Sequence, residues 1–186
     1  MSRRFVLLDR DGTITEEIGY VLDPSELRLL PSTGAALRRL RGLGLGVAAI
    51  SNQSPIGRGL LSPETLDAIH ARLAELLEAE CIALDGIYVC PHVPDAGCDC
   101  RKPRPGLALR AAAELGFDPD QAIVVGDHAS DMGLARAIGA TGILVRTGHG
   151  EEELQQGARA DADAVVDHLG EAAELIAELV GARAQA

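Results

Sequence analysis

Residues 5–13 read FVLLDRDGT, and the step from Leu8 to Asp9 decides the fold. Four apolar residues in a row are too few for a helix, and they suit a strand buried on both faces, as in a parallel sheet. Arg4 to Asp9 is therefore read as a strand that ends in two carboxylates, Asp9 and Asp11, ahead of a Gly-Thr turn. Carboxylates this close repel one another. One can stay ionised as a nucleophile or metal ligand while its neighbour is more readily protonated and serves as an acid. A plain Asp-Gly turn is the competing interpretation.

Outward from this strand, the same kind of short Val/Ile/Leu run recurs between helical segments. Ser32 to Leu43 is periodic as a helix, with Ser32 or Thr33 as its cap and Gly44 as its stop. Strands follow at 45–51, 85–90, 121–127 and 140–148, with a short one at 162–166. Helices are expected at 61–80, opened by Ser62-Pro63-Glu64, and at 105–116, 130–139 and Leu169 to Val180; residues 181–186 look frayed. Strands alternating with helices predict an α/β fold whose central sheet is mostly parallel, wrapped on both faces by right-handed crossovers. Ligands of such sheets bind beyond the carboxyl ends of the strands, and those ends carry Asp9, Ser51, Cys90 and Gly126-Asp127.

The chain has 186 residues, 47% of them hydrophobic, which predicts a single domain over residues 1–186. No apolar run approaches the roughly 18 residues of a membrane span. The Phe5–Leu8 run after Met-Ser-Arg-Arg is cut off at Asp9, so no signal peptide is read and a cytoplasmic protein is expected. A net charge of -11 and an aromatic content of 2% argue against nucleic acid as a partner. A small anion is still compatible with the local cluster Arg101, Lys102 and Arg104, because screening acts over about 8–10 Å.

Further polar segments follow the strands. SNQSPIGRG, residues 51–59, offers the Ser51 hydroxyl and nearby backbone N–H groups to phosphoryl oxygens, with Arg58 for a further anionic group. VVGDHASDM, residues 124–132, makes Asp127 a candidate ligand for Mg²⁺, with Asp131 placed to orient metal-bound waters. Cys90, His92, Cys98 and Cys100 crowd one loop, and that clustering argues for metal before disulfide. Cys81 lies apart from them, on the helix side.

DRDGT, SNQS, the lysine of CRKPRPG and GDHASD, in this order, resemble the four motifs of the haloacid dehalogenase-like superfamily of aspartate-nucleophile phosphotransferases. The resemblance implies a Rossmann-like three-layer sandwich with a minimal cap and an aspartyl-phosphate mechanism. Asp9 would be the nucleophile, Asp11 the acid and base, and Ser51 and Lys102 the groups that stabilise the transferring phosphoryl. Asp9, the Asp11 carbonyl and Asp127 would hold Mg²⁺. The spacing C-x-H-x5-C-x-C resembles the loop of the heptose 1,7-bisphosphate and histidinol-phosphate phosphatases, and suits a closed, structural Zn²⁺ site. That zinc is expected to brace the loop so that Arg101 and Lys102 reach the substrate.

The same resemblance implies substrate contacts at Glu17, Ile18, Gly19 and Tyr20, at Ser51, Asn52, Gln53 and Ser54, and at Arg58, Arg101, Lys102 and His128. It favours a small phosphorylated sugar, a heptose bisphosphate losing its C7 phosphate; histidinol phosphate or another small sugar phosphate is the alternative, and a non-catalytic zinc-stabilised binding module is the alternative of a different class. A monomer is expected.

Overall fold

The structure, a computed structural model, describes residues 3–183. Six parallel strands form one sheet: β1 (Phe5–Leu8), β2 (Gly46–Asn52), β3 (Gly86–Cys90), β4 (Ile123–Gly126), β5 (Thr141–Val145) and β6 (Ala164–Val166). Their order across the sheet is β3-β2-β1-β4-β5-β6. β1 therefore lies between β2 and β4, with Leu8 beside Ala49 on one side and Val125 on the other. The chain reverses its direction of travel at β1, which makes the gap beyond β1 and β4 the natural crevice of the sheet.

Seven α-helices occur among the described residues, six between strands and the last after β6: α1 (Thr33–Gly42), α2 (Ser54–Gly57), α3 (Pro63–Ala79), α4 (Gly106–Leu115), α5 (Ala129–Ile138), α6 (Gly150–Gln155) and α7 (Leu169–Arg183). Alternation along β1 divides the core into two layers. Val6 and Leu8 pack with α1, α3 and α7, through residues such as Leu37, Leu73 and Ile176. Phe5 and Leu7 pack on the opposite face with α4 and α5, through Leu107, Ala111 and Leu134. The result is a three-layer sandwich in which both faces of the sheet are dry. Burial at roughly 25 cal/mol per Å² on both faces accounts for strands that are uniformly apolar instead of alternating.

The helix ends follow the sequence in part. Ser62 caps α3 by accepting the N–H of Thr65 at 3.1 Å, and Gly116 ends α4 in the left-handed conformation. Ser32, by contrast, makes no capping bond at α1. Thr33 instead donates its hydroxyl to the Ile14 carbonyl at 2.7 Å, tying α1 to the loop that follows β1. The strand expected at 140–148 stops at Val145, where Gly150 and three glutamates open α6, a helix the periodicity did not reveal. Acidic residues in a first turn complement the helix dipole. α7 continues through Arg183, beyond the expected Val180; residues 184–186 of the expected frayed end lie outside the described residues.

No helix among the described residues is long and apolar enough to cross a membrane. Over the carboxyl edge of the sheet stand loops that carry short helical turns: a 3-10 turn at Pro24–Glu26 between β1 and α1, α2 after β2, and a 3-10 turn at Pro94–Ala96 after β3.

Candidate active site

The strand ends converge on a cleft of about 440 Å³. Asp9 leaves β1 at its floor. Its Oδ1 accepts the backbone N–H of Arg10 at 2.7 Å and lies 2.8 Å from Lys102 Nζ, so the other oxygen is left for a ligand. Asp127 leaves the neighbouring strand β4 and is 2% exposed; its Oδ2 accepts the N–H of His149 at 2.8 Å. Gly12, at φ 76°, passes so close that a Cβ there would stand 2.1 Å from Asp127 Oδ2. No side chain other than hydrogen fits between the two acids' loops.

Asp131, expected to orient metal-bound waters, is gathered with Asp9 and Asp127 and also holds the lysine. It is fully buried in the first turn of α5, below the cleft, where its Oδ1 lies 2.6 Å from Lys102 Nζ and its Oδ2 accepts the His128 N–H at 3.1 Å. Gly126 makes room for it, since a Cβ would meet the Asp131 carboxyl carbon at 2.2 Å. Asp131 is thus the anchor of the lysine.

The electrostatics of this floor are unbalanced. Asp9, Asp127 and Asp131 bring carboxylate oxygens within 4.8 Å of one another, and one ammonium serves all three. Burial pushes the Asp9 carboxyl up to about 6, with Lys102 pulling against it and Asp131 adding to the rise. Burial, then the charges of Asp9 and Asp131, push Asp127 up to about 8. Burial works against the Lys102 charge, but Asp131 and Asp9 outweigh it and hold the ammonium above its usual range. An excess of buried negative charge, built from hard oxygen ligands, fits Mg²⁺.

Lys102 is held by the sheet. Its Nζ donates to the Ile50 carbonyl at 2.7 Å, and its peptide is gripped at both ends by Asn52: the Lys102 N–H donates to Asn52 Oδ1 at 3.1 Å, and Asn52 Nδ2 donates to the Lys102 carbonyl at 3.2 Å. Gln53 Nε2 donates to Ser51 Oγ at 2.8 Å and to Asp11 Oδ2 at 2.9 Å. Asn52 and Gln53, expected as substrate contacts, both line the cleft, yet their amides are already engaged in holding Lys102, Ser51 and Asp11.

The walls collect most of the other expected residues. Ser54 and Arg58 line one side, beside Arg101; Glu17, Gly19 and Tyr20 line another, beside His128 and His149. The Arg58 side chain makes no ion pair with a described residue. His128 has both ring nitrogens engaged, Nδ1 accepting the Ser130 N–H at 3.1 Å and Nε2 lying 2.9 Å from Glu153 Oε1. Ile18 does not join the cleft. Glu17 turns inward to accept the Gly19 N–H at 2.5 Å, and the tight turn leaves Ile18 outside and 49% exposed.

Several contributors gave little local signal. His149 and Thr147 sit beyond β5; Thr147 donates to the Gly12 carbonyl at 2.6 Å and His149 to Asp127. Arg10, a charged residue two positions beyond the apolar run Phe5–Leu8, is buried at 1% exposure, and its place between Asp9 and Asp11 was the signal that could have found it.

The cysteine loop forms a second cluster beside the cleft. Cys90 Sγ lies 3.7 Å from Cys98 Sγ and 3.2 Å from Cys100 Sγ, and His92 Nδ1 lies 3.5 Å from Cys90 and 3.2 Å from Cys100. These gaps exclude disulfides, which need about 2.05 Å. They approach the roughly 3.7 Å edge of a tetrahedron with metal–sulfur bonds of about 2.3 Å, so the donors fit Zn²⁺ with no position left open. Arg101 Nη1 donates to the carbonyl of His92 at 3.2 Å, fastening the cleft arginine to this loop.

Known proteins resemble this chain in sequence and fold. Residues 99–172 match a family model described as HAD-hydrolase-like. The chain is 41% identical over 155 residues to the D-glycero-beta-D-manno-heptose-1,7-bisphosphate 7-phosphatase of Pseudomonas aeruginosa, covering 83% of this chain and 87% of that one. It is 36% identical over 172 residues to the protein of the same name from Bordetella bronchiseptica, covering 92% and 96%. Among solved structures, D,D-heptose 1,7-bisphosphate phosphatase from B. bronchiseptica, complexed with magnesium and phosphate, superposes with a TM-score of 0.88 at 35% identity, covering 94% of this chain and 98% of that one. The corresponding phosphatase from Burkholderia thailandensis gives 0.72 at 29% identity, with the same coverage.

Proposed function

The chain belongs to the D-glycero-D-manno-heptose 1,7-bisphosphate 7-phosphatase family of HAD-like hydrolases, and from that premise we propose that it releases the C7 phosphate of this heptose bisphosphate. The observation that carries the substrate is the division of cationic charge in one cleft. Lys102 stands at the carboxylate floor, while Arg58 and Arg101 stand on the wall. A bisphosphate needs two such loci, one for the reacting phosphoryl group and one for the phosphate that stays.

In this mechanism an Asp9 oxygen attacks phosphorus as the P–O7 bond breaks, and Asp11 gives its proton to the leaving O7. Asp11 then removes a proton from the water that attacks the aspartyl-phosphate, freeing Asp9 and inorganic phosphate. Ser51 and Lys102 orient and neutralise the phosphoryl oxygens, a contribution that is electrostatic and positional. Asp9, Asp127 and the Asp11 carbonyl would hold Mg²⁺, which when bound offsets the repulsion between carboxylate and phosphate. Cys90, His92, Cys98 and Cys100 would hold Zn²⁺ in a structural role. Arg58 and Arg101 bind the retained phosphate, and the turn at Glu17 to Tyr20 faces the sugar.

Phosphate release from the heptose 1,7-bisphosphate, the heptose 7-phosphate and histidinol phosphate, with and without Mg²⁺, tests the reading. The bisphosphate is expected to have the highest kcat/KM, and Asp9→Asn to reduce it by at least about 10⁴-fold, as loss of a nucleophile does. A preference of roughly tenfold or more for histidinol phosphate would overturn the substrate. Turnover surviving in Asp9→Asn would overturn the nucleophile.

A further inference from the structure

Between the two catalytic carboxylates stands a residue to which the steps above give no part. Arg10 is the second residue beyond the end of β1 and is 1% exposed. Burying a guanidinium is unfavourable unless the charge is paired and hydrogen-bonded. The pairing is with its immediate neighbour. Nε donates to Asp11 Oδ1 at 2.9 Å and Nη2 to Asp11 Oδ2 at 2.7 Å, so one planar fork covers both oxygens of one carboxylate.

Nothing else competes for that fork. Its remaining nitrogen, Nη1, has no partner among the described residues. His70, inside α3, is the ring that feels the arginine: burial and then the Arg10 charge drive its imidazole down to about 4, so at neutral pH the ring stays uncharged and adds no second cation beside the fork. The Arg10 backbone is pinned separately, its N–H to Asp9 and its carbonyl by the N–H groups of Ile14 and Thr15, each at 2.9 Å. Ladder and turn contacts thus fix where the side chain starts, and Asp11 is where it ends.

We propose that Arg10 is a positioning residue for Asp11, its bidentate contact fixing the plane of the carboxyl group so that the proton leaves and returns along one direction. The inference rests on the reading of Asp11 as the acid. A carboxyl on a short side chain has two free torsions; a single hydrogen bond leaves one of them loose, and a fork locks both. Transfer of the proton to O7 is sensitive to that direction, because an alkoxide leaves poorly without it. A p-nitrophenolate leaves without a proton, so cleavage of its ester depends on Asp9 and Lys102 but little on the aim of Asp11.

The test is the ratio of kcat/KM for the heptose bisphosphate to kcat/KM for p-nitrophenyl phosphate, since kcat/KM reads the steps through the first irreversible one. In Arg10→Met the ratio is expected to fall by about 10- to 100-fold, within the range of general acid catalysis. Arg10→Lys, which keeps the charge but not the fork, is expected to be intermediate. A ratio within about twofold of the parent in a folded Arg10→Met protein would overturn the inference. Should Arg10→Met fail to fold, an unchanged ratio in Arg10→Lys overturns it equally. Asp11→Asn separates the two levels. If it leaves the ratio unchanged, the acid assignment falls and this inference with it; if it collapses the ratio while the Arg10 variants do not, only the role of Arg10 falls.

Discussion

The carboxylate cluster draws Asp9 from the end of β1 and Asp127 and Asp131 from beyond β4, whereas the cysteine cluster draws all four donors from residues 90–100. The first cannot exist until the sheet has paired, and the second is closed by its own loop. The difference sorts the cations of the cleft. Lys102 is bound to Ile50, Asn52, Asp9 and Asp131, all of them on or against the sheet. Arg101, its immediate neighbour, is tied to the carbonyl of His92, inside the cysteine loop. Lys102, to which the proposed mechanism gives the transferring phosphoryl group, is fixed by the fold. Arg101, to which it gives the retained phosphate, is fixed by the loop.

The comparison breaks most readily at Asn52. Asn52→Ala removes both ends of the grip on the Lys102 peptide, and a displacement of the order of 1 Å can cost up to about 10²-fold; kcat is expected to fall about 10- to 30-fold on the heptose bisphosphate and on p-nitrophenyl phosphate alike. A change confined to KM would mean that the sheet does not place the lysine. Zinc removal, by chelation or by Cys98→Ser, should act on the other half. With Arg101 released, KM for the bisphosphate is expected to rise about tenfold, the equivalent of one charge-assisted hydrogen bond of about 1.5 kcal/mol. Here kcat on p-nitrophenyl phosphate should stay within about twofold, and an equal loss of kcat on both esters would erase the distinction.

The smallest effect sharpens the carboxylate side. In the protein without Mg²⁺, Asp9 and Asp127 take up protons well above the usual carboxylate range, so between about pH 4 and pH 8 the folded state binds more protons than the unfolded one. Its stability therefore falls as pH rises through that window. Bound Mg²⁺ reverses the demand by favouring the ionised carboxylates. The gain in Tm on adding Mg²⁺ should accordingly be near zero at pH 5 and reach about 2–4 °C at pH 8. Thermal unfolding followed with and without the ion checks this, and a gain that shrinks with rising pH contradicts it.

Much of this was legible before any coordinates. Runs such as Phe5–Leu8 and Val124-Val125 are too apolar to be anything but strands buried on both faces, and the acids follow them directly. The four zinc-type donors are adjacent in sequence, so their spacing alone described their site. What could not be read was side-chain direction. Ile18 and Tyr20 look equivalent as neighbours of the nucleophile loop, but the inward turn of Glu17 separates them. Asp131 has the position of a metal-water ligand, but its ion pair with Lys102, which the close approach at Gly126 permits, left no local signal. Asn52 and Gln53 line the cleft as expected, but the part their amides take in holding Lys102 and Asp11 is not visible in the sequence. Those contacts join residues 50 and 42 positions apart, and no local periodicity encodes them.

The seam between these two halves is one peptide bond wide, between Arg101 and Lys102. Asn52 fastens the chain on the lysine side of that seam and His92 on the arginine side. A lineage can therefore re-cut the spacer between His92 and Cys98, carrying Arg101 to a new distance from the floor, while the lysine keeps its address. Under the proposed roles, such a change would alter the grip on the retained phosphate and leave the hydrolytic step in place.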